Sequence, residues 1–295
     1  MVTIVCHDAG GAEVICAWVK NQDEAYSLVL EGPAIKIFER NLGNIKLLSI
    51  EDAIVNSNWV LCGTSWQSNL ERDAIRIAKK NNKLVVSFID HWINYPERFI
   101  YNSEIILPNI IWVGDCFAEK IAKKIFPNTK IELKENYYFN ELKTKFDQYN
   151  QIIKIQNKTI FLYICEPIKE HALLQHGDEY YWGYTEFEAL NFFLDNTGAL
   201  LEEVDEIWIR PHPSENPEKY YWVYTYDNLN IRITGNISLF EEIAQASVII
   251  GCESMAMVAG LLAGKRVVSS IPSNGRPCSL PFSEIEYLHL LLHNI

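Results

Sequence analysis

Several familiar enzyme signatures are missing from this 295-residue chain. It has no GxxxxGK[ST] loop, no GxSxG elbow and no HExxH pair, which argues against P-loop phosphoryl transfer, hydrolases of the nucleophile-elbow type and zincin chemistry. No DxD pair is available to hold a divalent metal on a diphosphate. The seven cysteines (Cys6, Cys16, Cys62, Cys116, Cys165, Cys252 and Cys278) are odd in number, and no two have CxxC spacing. That excludes a disulfide framework or a cysteine zinc site and fits a reducing compartment. Basic residues are scarce: 26 Lys and Arg face 38 Asp and Glu, a formal net charge of −12. Such a chain is not expected to bind nucleic acid, because phosphate backbones need Lys and Arg surfaces. A local anion pocket stays compatible with that charge, since screening confines distant surface charges. No apolar run approaches the ~20 residues of a membrane span, and no basic n-region precedes the first apolar run. A cytoplasmic protein is therefore expected, with any membrane contact peripheral and at the inner face.

A composition of 48% hydrophobic and 22% charged residues supplies a large globular core. The recurring pattern is a short apolar run, a Gly- or Asp-bearing turn, then a helical stretch. Strands are expected at Val2–Cys6, Trp59–Cys62, Leu84–Ile89, Ile110–Val113, Thr159–Cys165, Glu206–Arg210, Ser247–Gly251 and Arg266–Ser269. Helices are expected at Ala12–Lys20, Asn69–Asn82, Cys116–Phe126, Glu186–Asp195, Ser238–Gln245 and Ser254–Ala263. Such alternation indicates parallel sheets flanked by helices. Residues 130–158 are polar and break the rhythm, and read as a partly helical connector without a strong strand. The expectation is an α/β fold of two Rossmann-like domains, 1–150 and 151–295, facing a central cleft.

Ligands of open parallel sheets bind at the carboxyl ends of the strands, so the candidate residues are those just past each apolar run. In IRPHPSE (209–215), prolines on both sides of His212 fix the backbone and hold an imidazole where it can donate to a phosphate oxygen; Arg210 and Pro213 accompany it. In GCESMA (251–256), Ser254 is placed to start a helix whose free amides suit an anion. Glu253 is suited to ribose hydroxyls, with Gly251 and Met255 beside it. The plainer reading of Ser254 is an ordinary N-cap. HDAGG (7–11) closes the first strand, where Asp8, or His7, is a candidate general base and Gly10 and Gly11 permit close approach. The plainer reading makes Asp8 a helix cap. His91, after the strand ending SFID, is expected to face the cleft while Asp90 or Trp92 fixes its loop. Thr64, Ser65 and Ser68 in CGTSWQSNLE precede a helix, where they suit a phosphate, a sugar or, more plainly, a simple cap. Glu166 in YICEP lies where a sugar or nucleotide would pass. The aromatic stretches 179–187 and 220–226 suit either a saccharide surface or core packing.

Together these motifs resemble bacterial GT-B glycosyltransferases that use CMP-activated sialic, Kdo or pseudaminic-type sugars and, more distantly, CDP-glycerol glycerophosphotransferases. IRPHPSE is similar to their HP motif, GCESMA in part to their serine motif, and HDAGG to the acidic-glycine turn carrying the base. The resemblance implies an inverting, metal-independent glycosyltransferase with no cofactor beyond a nucleotide-sugar donor. Its acceptor is expected to be a saccharide or lipid-linked saccharide. Asp8 and His212 would be catalytic. Gly10, Gly11, Glu166, Arg210, Pro213, Gly251, Glu253, Ser254 and Met255 would hold the donor; His7, Thr64, Ser65 and His91 would face the acceptor. A UDP-sugar hydrolase or 2-epimerase of the same fold, a CDP-glycerol-type transferase, or a non-enzymatic two-lobed binding protein are the alternatives.

Overall fold

The computed structural model describes residues 1–65, 68–152, 158–201 and 203–292. The chain divides into two compact units, Met1–Glu141 and Leu142–Ile295.

In the first unit, β1 (Val2–Cys6) leads into α1 (Ala9–Lys20), β2 (Tyr26–Leu30), α2 (Pro33–Leu42), α3 (Ile50–Asn56), β3 (Trp59–Cys62), α4 (Leu70–Lys80) and β4 (Leu84–Ile89). A small antiparallel ribbon follows, β5 (Ile100–Tyr101) with β6 (Glu104–Ile105), then β7 (Ile110–Val113), α5 (Cys116–Ile125), β8 (Lys130–Leu133) and α6 (Tyr137–Ile152), whose last turns belong to the second unit. The six-stranded sheet runs β2-β1-β3-β4-β7-β8 with all pairs parallel. Its inner strands are largely apolar, and β1 and β4 bury Thr3 and Ser87 with the rest, because helices cover both faces of a parallel sheet. VTIVC of β1 is buried throughout. Helix α4 shows the complementary logic: Ala74, Ile75 and Ala78 are buried, acids occupy its first turn and lysines its last, which suits the helix dipole. Asn82 follows in a left-handed conformation (φ 55°) and ends it.

In the second unit, β9 (Ile160–Ile164) is followed by α7 (Ile168–His176), α8 (Glu186–Asp195), β10 (Glu206–Arg210), β11 (Ile231–Ile233) and α9 (Leu239–Gln245). Then come β12 (Val248–Gly251), α10 (Met255–Leu262), β13 (Arg266–Ser269), β14 (Ile285–Tyr287) and α11 (Leu288–Leu291). Its sheet runs β11-β10-β9-β12-β13-β14, again all parallel. This is the doubly wound order in which the chain leaves β9 first one way and then the other. The switch point lies between β9 and β12; in the first unit it lies between β1 and β3. Thr185 and Ser238 start α8 and α9 with complete capping boxes.

The expected strands are all present. The segment expected to be a partly helical connector without a strong strand is helical over 137–152 (α6) and is corrected at 130–133, where β8 forms; residues 153–157 of that segment lie outside the described residues. No helix among the described residues is long and apolar enough to cross a membrane.

Helix α10 approaches its sheet closely at Gly260, where an added Cβ would fall 2.9 Å from Ile249 Cγ1 and 3.3 Å from Val267 Cγ2. Gly260→Val is expected to overpack this contact and cost about 1–3 kcal/mol, read as a lower urea midpoint with an unchanged m-value.

Candidate functional site

In the first unit, the polar residues that follow β1, β3 and β4 converge at the switch point. His7 Nδ1 donates to Asp8 Oδ1 at 2.7 Å, and Ser65 Oγ donates to the same oxygen at 2.7 Å. Asp8 stands at the N-cap position of α1 with extended backbone, yet its side chain makes no capping hydrogen bond. Its carboxylate instead orients an imidazole and places that proton on Nδ1, leaving Nε2 as the basic nitrogen. This is the base-plus-orienter geometry of general-base sites. The imidazole edge rests against Gly32 (φ 53°), where a Cβ would fall 2.7 Å from Nε2.

The surroundings are fixed by charged residues that the sequence reading did not single out. Arg98 pairs with Asp90 at 2.9 Å and donates to Thr64 Oγ1 at 2.6 Å. Thr64 Oγ1 in turn donates to Asp90 at 3.4 Å. Arg72 is buried and donates to the carbonyls of Ser65 and Ser68 and to Asn69 Oδ1. Ser65 also accepts from the Ser68 amide at 3.1 Å; Trp66 and Gln67 of that motif lie outside the described residues. Gly10 leaves room for Asp90, since a Cβ there would meet Asp90 Oδ2 at 2.1 Å, and Gly11 lies against Gly63. His91 engages its own loop. Its Nδ1 accepts the Trp92 amide at 2.9 Å, and Trp92 Nε1 reaches Asp115.

Beneath this surface Glu71, 3% exposed, accepts the His7 amide at 2.8 Å through Oε1. Its Oε2 is buried with no hydrogen-bond partner among the described residues. Burial pushes this carboxyl up to about 7, against the pull of its own amide and that of His7.

In the second unit the IRPHPSE turn leaves β10 as expected. The Ser214 amide donates to His212 Nδ1 at 3.3 Å and Ser214 Oγ lies 2.7 Å from it. An accepting Nδ1 puts the imidazole proton on Nε2. Burial lowers the His212 pKa, with His171 adding to the effect against Glu215 and Glu170, so the ring is a neutral donor at pH 7. Glu215 clamps the turn: it accepts the His212 amide at 3.2 Å and the Tyr220 hydroxyl at 2.9 Å, and it pairs with Lys219, which also pairs with Glu186. Pro213 is exposed at the tip. Arg210 is directed elsewhere. It pairs with the buried Glu242 at 2.8 Å and donates to the Ile237 carbonyl.

The second switch point is occupied by the chain itself. Glu166, just past β9, accepts the amides of Cys252 at 3.1 Å and Glu253 at 2.9 Å through Oε1. Burial pushes its carboxyl up to about 7; the amides of residues 252–254 oppose this, and Glu253 adds to it. Ser254 caps α10, its Oγ accepting the Ala256 amide at 3.1 Å, and Met255 is the first helical residue. Glu253 pairs with Arg276 and accepts the Ser279 amide at 3.1 Å. Arg276 in turn lies 4.5 Å over Trp182. Gly251 is a packing glycine, with Ile164 O and Met257 Sδ within 3.3 Å of its absent Cβ. The aromatic stretches divide: Tyr184, Tyr220 and Val223 are buried, whereas Tyr180, Tyr181, Tyr221 and Tyr224 are exposed. No cluster of three or more His, Cys, Asp or Glu among the described residues is arranged to hold a metal.

No protein-family model and no curated protein sequence matches the chain. Among solved structures it is similar to the UDP-GlcNAc 2-epimerase from Methanocaldococcus jannaschii, with a TM-score of 0.63. That match covers 99% of this chain and 90% of the other, at 11% identity. The likeness is one of fold: two parallel-sheet α/β domains in a GT-B-like arrangement of elements.

The Glu71 carboxyl carries a pH signature. Its folded value, about 7, lies above the ordinary 4.5, so the folded chain binds the extra proton between these values. The resulting stabilisation is full below about 4.5 and lost as pH rises through about 7. Urea unfolding free energy is expected to fall between pH 5 and 7.5. Glu71→Gln should flatten that fall by on the order of 2 kcal/mol; Glu166 keeps part of it in place.

Proposed function

We propose that the chain is a nucleotide-sugar-processing enzyme: an inverting glycosyltransferase that moves a nonulosonic-type sugar from a CMP-activated donor to a saccharide hydroxyl. The observation that carries this reading is that each unit holds, at a strand exit, an imidazole with a fixed tautomer, and that the two tautomers are opposite. His7, held by Asp8 with Nε2 unprotonated, is built to take a proton. His212, held by the Ser214 amide with Nε2 protonated, is built to give a hydrogen bond.

In this mechanism the donor binds on the second unit, and His212 Nε2–H donates to the phosphate oxygen that accumulates charge as the glycosidic C–O bond breaks. A single phosphate leaving group needs less neutralisation than a diphosphate, so a fixed neutral donor serves. The acceptor hydroxyl loses its proton to His7 Nε2 as its oxygen attacks the anomeric carbon. Asp8 stabilises the imidazolium formed, and Ser65 holds Asp8 in place. The exposed tyrosines near Tyr180 and Tyr221 offer flat faces to a saccharide or lipid-linked acceptor. Thr64 and Asp90 shape the turn that receives it.

A second reading, a hydrolysing UDP-sugar 2-epimerase, is favoured by the fold shared with the archaeal epimerase. Thermal-shift titration with CMP and UDP separates the two. Stabilisation by CMP alone supports transfer from a CMP donor, and stabilisation by UDP alone supports the epimerase.

His212→Ala is expected to lower kcat/KM for a CMP-sugar by about 10²–10³-fold with little change in Tm; a folded variant of unchanged rate would end this role. Asp8→Asn should lower kcat by about 10²–10⁴-fold while CMP binding survives. A His7→Ala variant that keeps full rate would move the base to Asp8 itself.

A further inference from the structure

Strand exits at a switch point normally leave amides for a ligand, and here those of the second unit are taken by a side chain. Glu166 receives the amides of Cys252 and Glu253, and Ser254 Oγ receives that of Ala256. A second carboxylate, Glu253, stands on the same turn. Strand β9, which Glu166 follows, lies between β10 and β12 in the sheet. The chain at Glu166 therefore emerges between the strand that leads to the His212 turn and the strand that leads to α10, neighbouring strands lying ~4.8 Å apart, and the Glu166 carboxylate turns to the α10 side.

We propose that Glu166 is a specificity-determining residue that restricts the second unit to nucleotides bearing one phosphate. The inference rests on the reading of this unit as a nucleotide-sugar site. One phosphate at His212 Nε2 meets a neutral donor. A second phosphate, reaching toward α10 for the amides that usually receive it, meets a carboxylate already bonded to them and another beside it. Like charges so close exclude the extra anion. Glu166 also positions the turn, because its hydrogen bonds hold Glu253 and Ser254 at the switch point.

The exclusion depends on the carboxylate being ionised, which ties it to pH. The groups facing Glu166 are Glu253 and Cys252 on the β12–α10 turn, Tyr163 of β9 and Cys165 just past it, Tyr184 and Cys278. Burial raises the pKa of each of these phenols and thiols, so they stay neutral near pH 7. Arg276 faces the turn in its pair with Glu253. Helix α7 brings Lys169, paired with Glu179, and the exposed Glu170. Glu166, pushed up to about 7, is the group whose charge changes between pH 6 and 8.

Isothermal titration of the wild type and Glu166→Gln with CMP and CDP, at pH 8 and pH 6, tests this with one base and two phosphate counts. At pH 8 the wild type is expected to bind CMP at least about 10-fold more tightly than CDP, and Glu166→Gln to bring the two within about 3-fold. Lowering the pH to 6 should narrow the ratio in the wild type and leave it unchanged in the variant, which controls for titration of the nucleotides themselves. A CMP/CDP ratio that neither the substitution nor the pH moves overturns the proposal while leaving the nucleotide-sugar reading intact. Failure of the wild type to bind either nucleotide overturns that reading and this proposal with it. If Glu166→Gln does not fold, the pH dependence of the wild type decides alone.

Discussion

Three of the candidate turns are each held by a glutamate carboxylate that accepts backbone amides at a strand exit. Glu71 receives the His7 amide after β1, Glu215 receives the His212 amide after β10, and Glu166 receives those of Cys252 and Glu253 after β12. The need is physical. Where a parallel strand leaves its sheet, the ladder stops supplying acceptors, and amides withdrawn from water require another. A carboxylate meets the need with strong, charge-assisted bonds and stiffens the turn in doing so. The cost is desolvation, visible in Glu71 and Glu166, both pushed up to about 7.

The cations near these turns are committed in the same way. Arg98 holds Asp90, Arg210 holds Glu242, Arg276 holds Glu253, and Lys219 joins Glu186 to Glu215. Each pair neutralises a carboxylate that the local fold needs, so these positive charges are bound into the architecture. In the proposed function, recognition of an anion by the second unit then falls to a neutral donor with fixed geometry. His212 has that character, because Pro211, Pro213 and Glu215 constrain its backbone and the Ser214 amide sets its tautomer. A chain of net charge −12 can host such a site because hydrogen bonds at contact distance act where screened surface charge does not.

How far the sequence could be read follows from which signals are local. The eight expected strands are the four central strands of each sheet, which are largely apolar because both faces are covered. Apart from the two-residue strands of the β5–β6 ribbon, those it did not yield, β2, β8, β11 and β14, are the edges of the two sheets. Edge strands tolerate polar residues and partial exposure; KIEL of β8 shows no fully buried position. The rule that ligands meet strand exits led to His7, Asp8, Ser65 and His212. It gave no view of their bonding, since Asp8 looks equally like a helix cap until its carboxylate is found on His7 and Ser65. Glu71 and Arg72 left no sign in a single sequence, because at the start of an amphipathic helix charged residues ordinarily face water.

The two switch points are built alike and filled differently, and the proposed function gives that difference a use. In the first unit the buried glutamate lies beneath the turn and accepts an amide from below, so the polar groups above it, His7, Asp8 and Ser65, are left to interact with one another. In the second the glutamate enters the crevice itself and takes the amides that an incoming anion would use. The first arrangement preserves an imidazole with a basic nitrogen, which suits proton removal. The second removes an anion nest and leaves the neighbouring imidazole as donor, which suits a leaving group of low charge. A diphosphate would be better served by the reverse, an open nest and a cation free to move, and Arg276 would have to release Glu253 to become one.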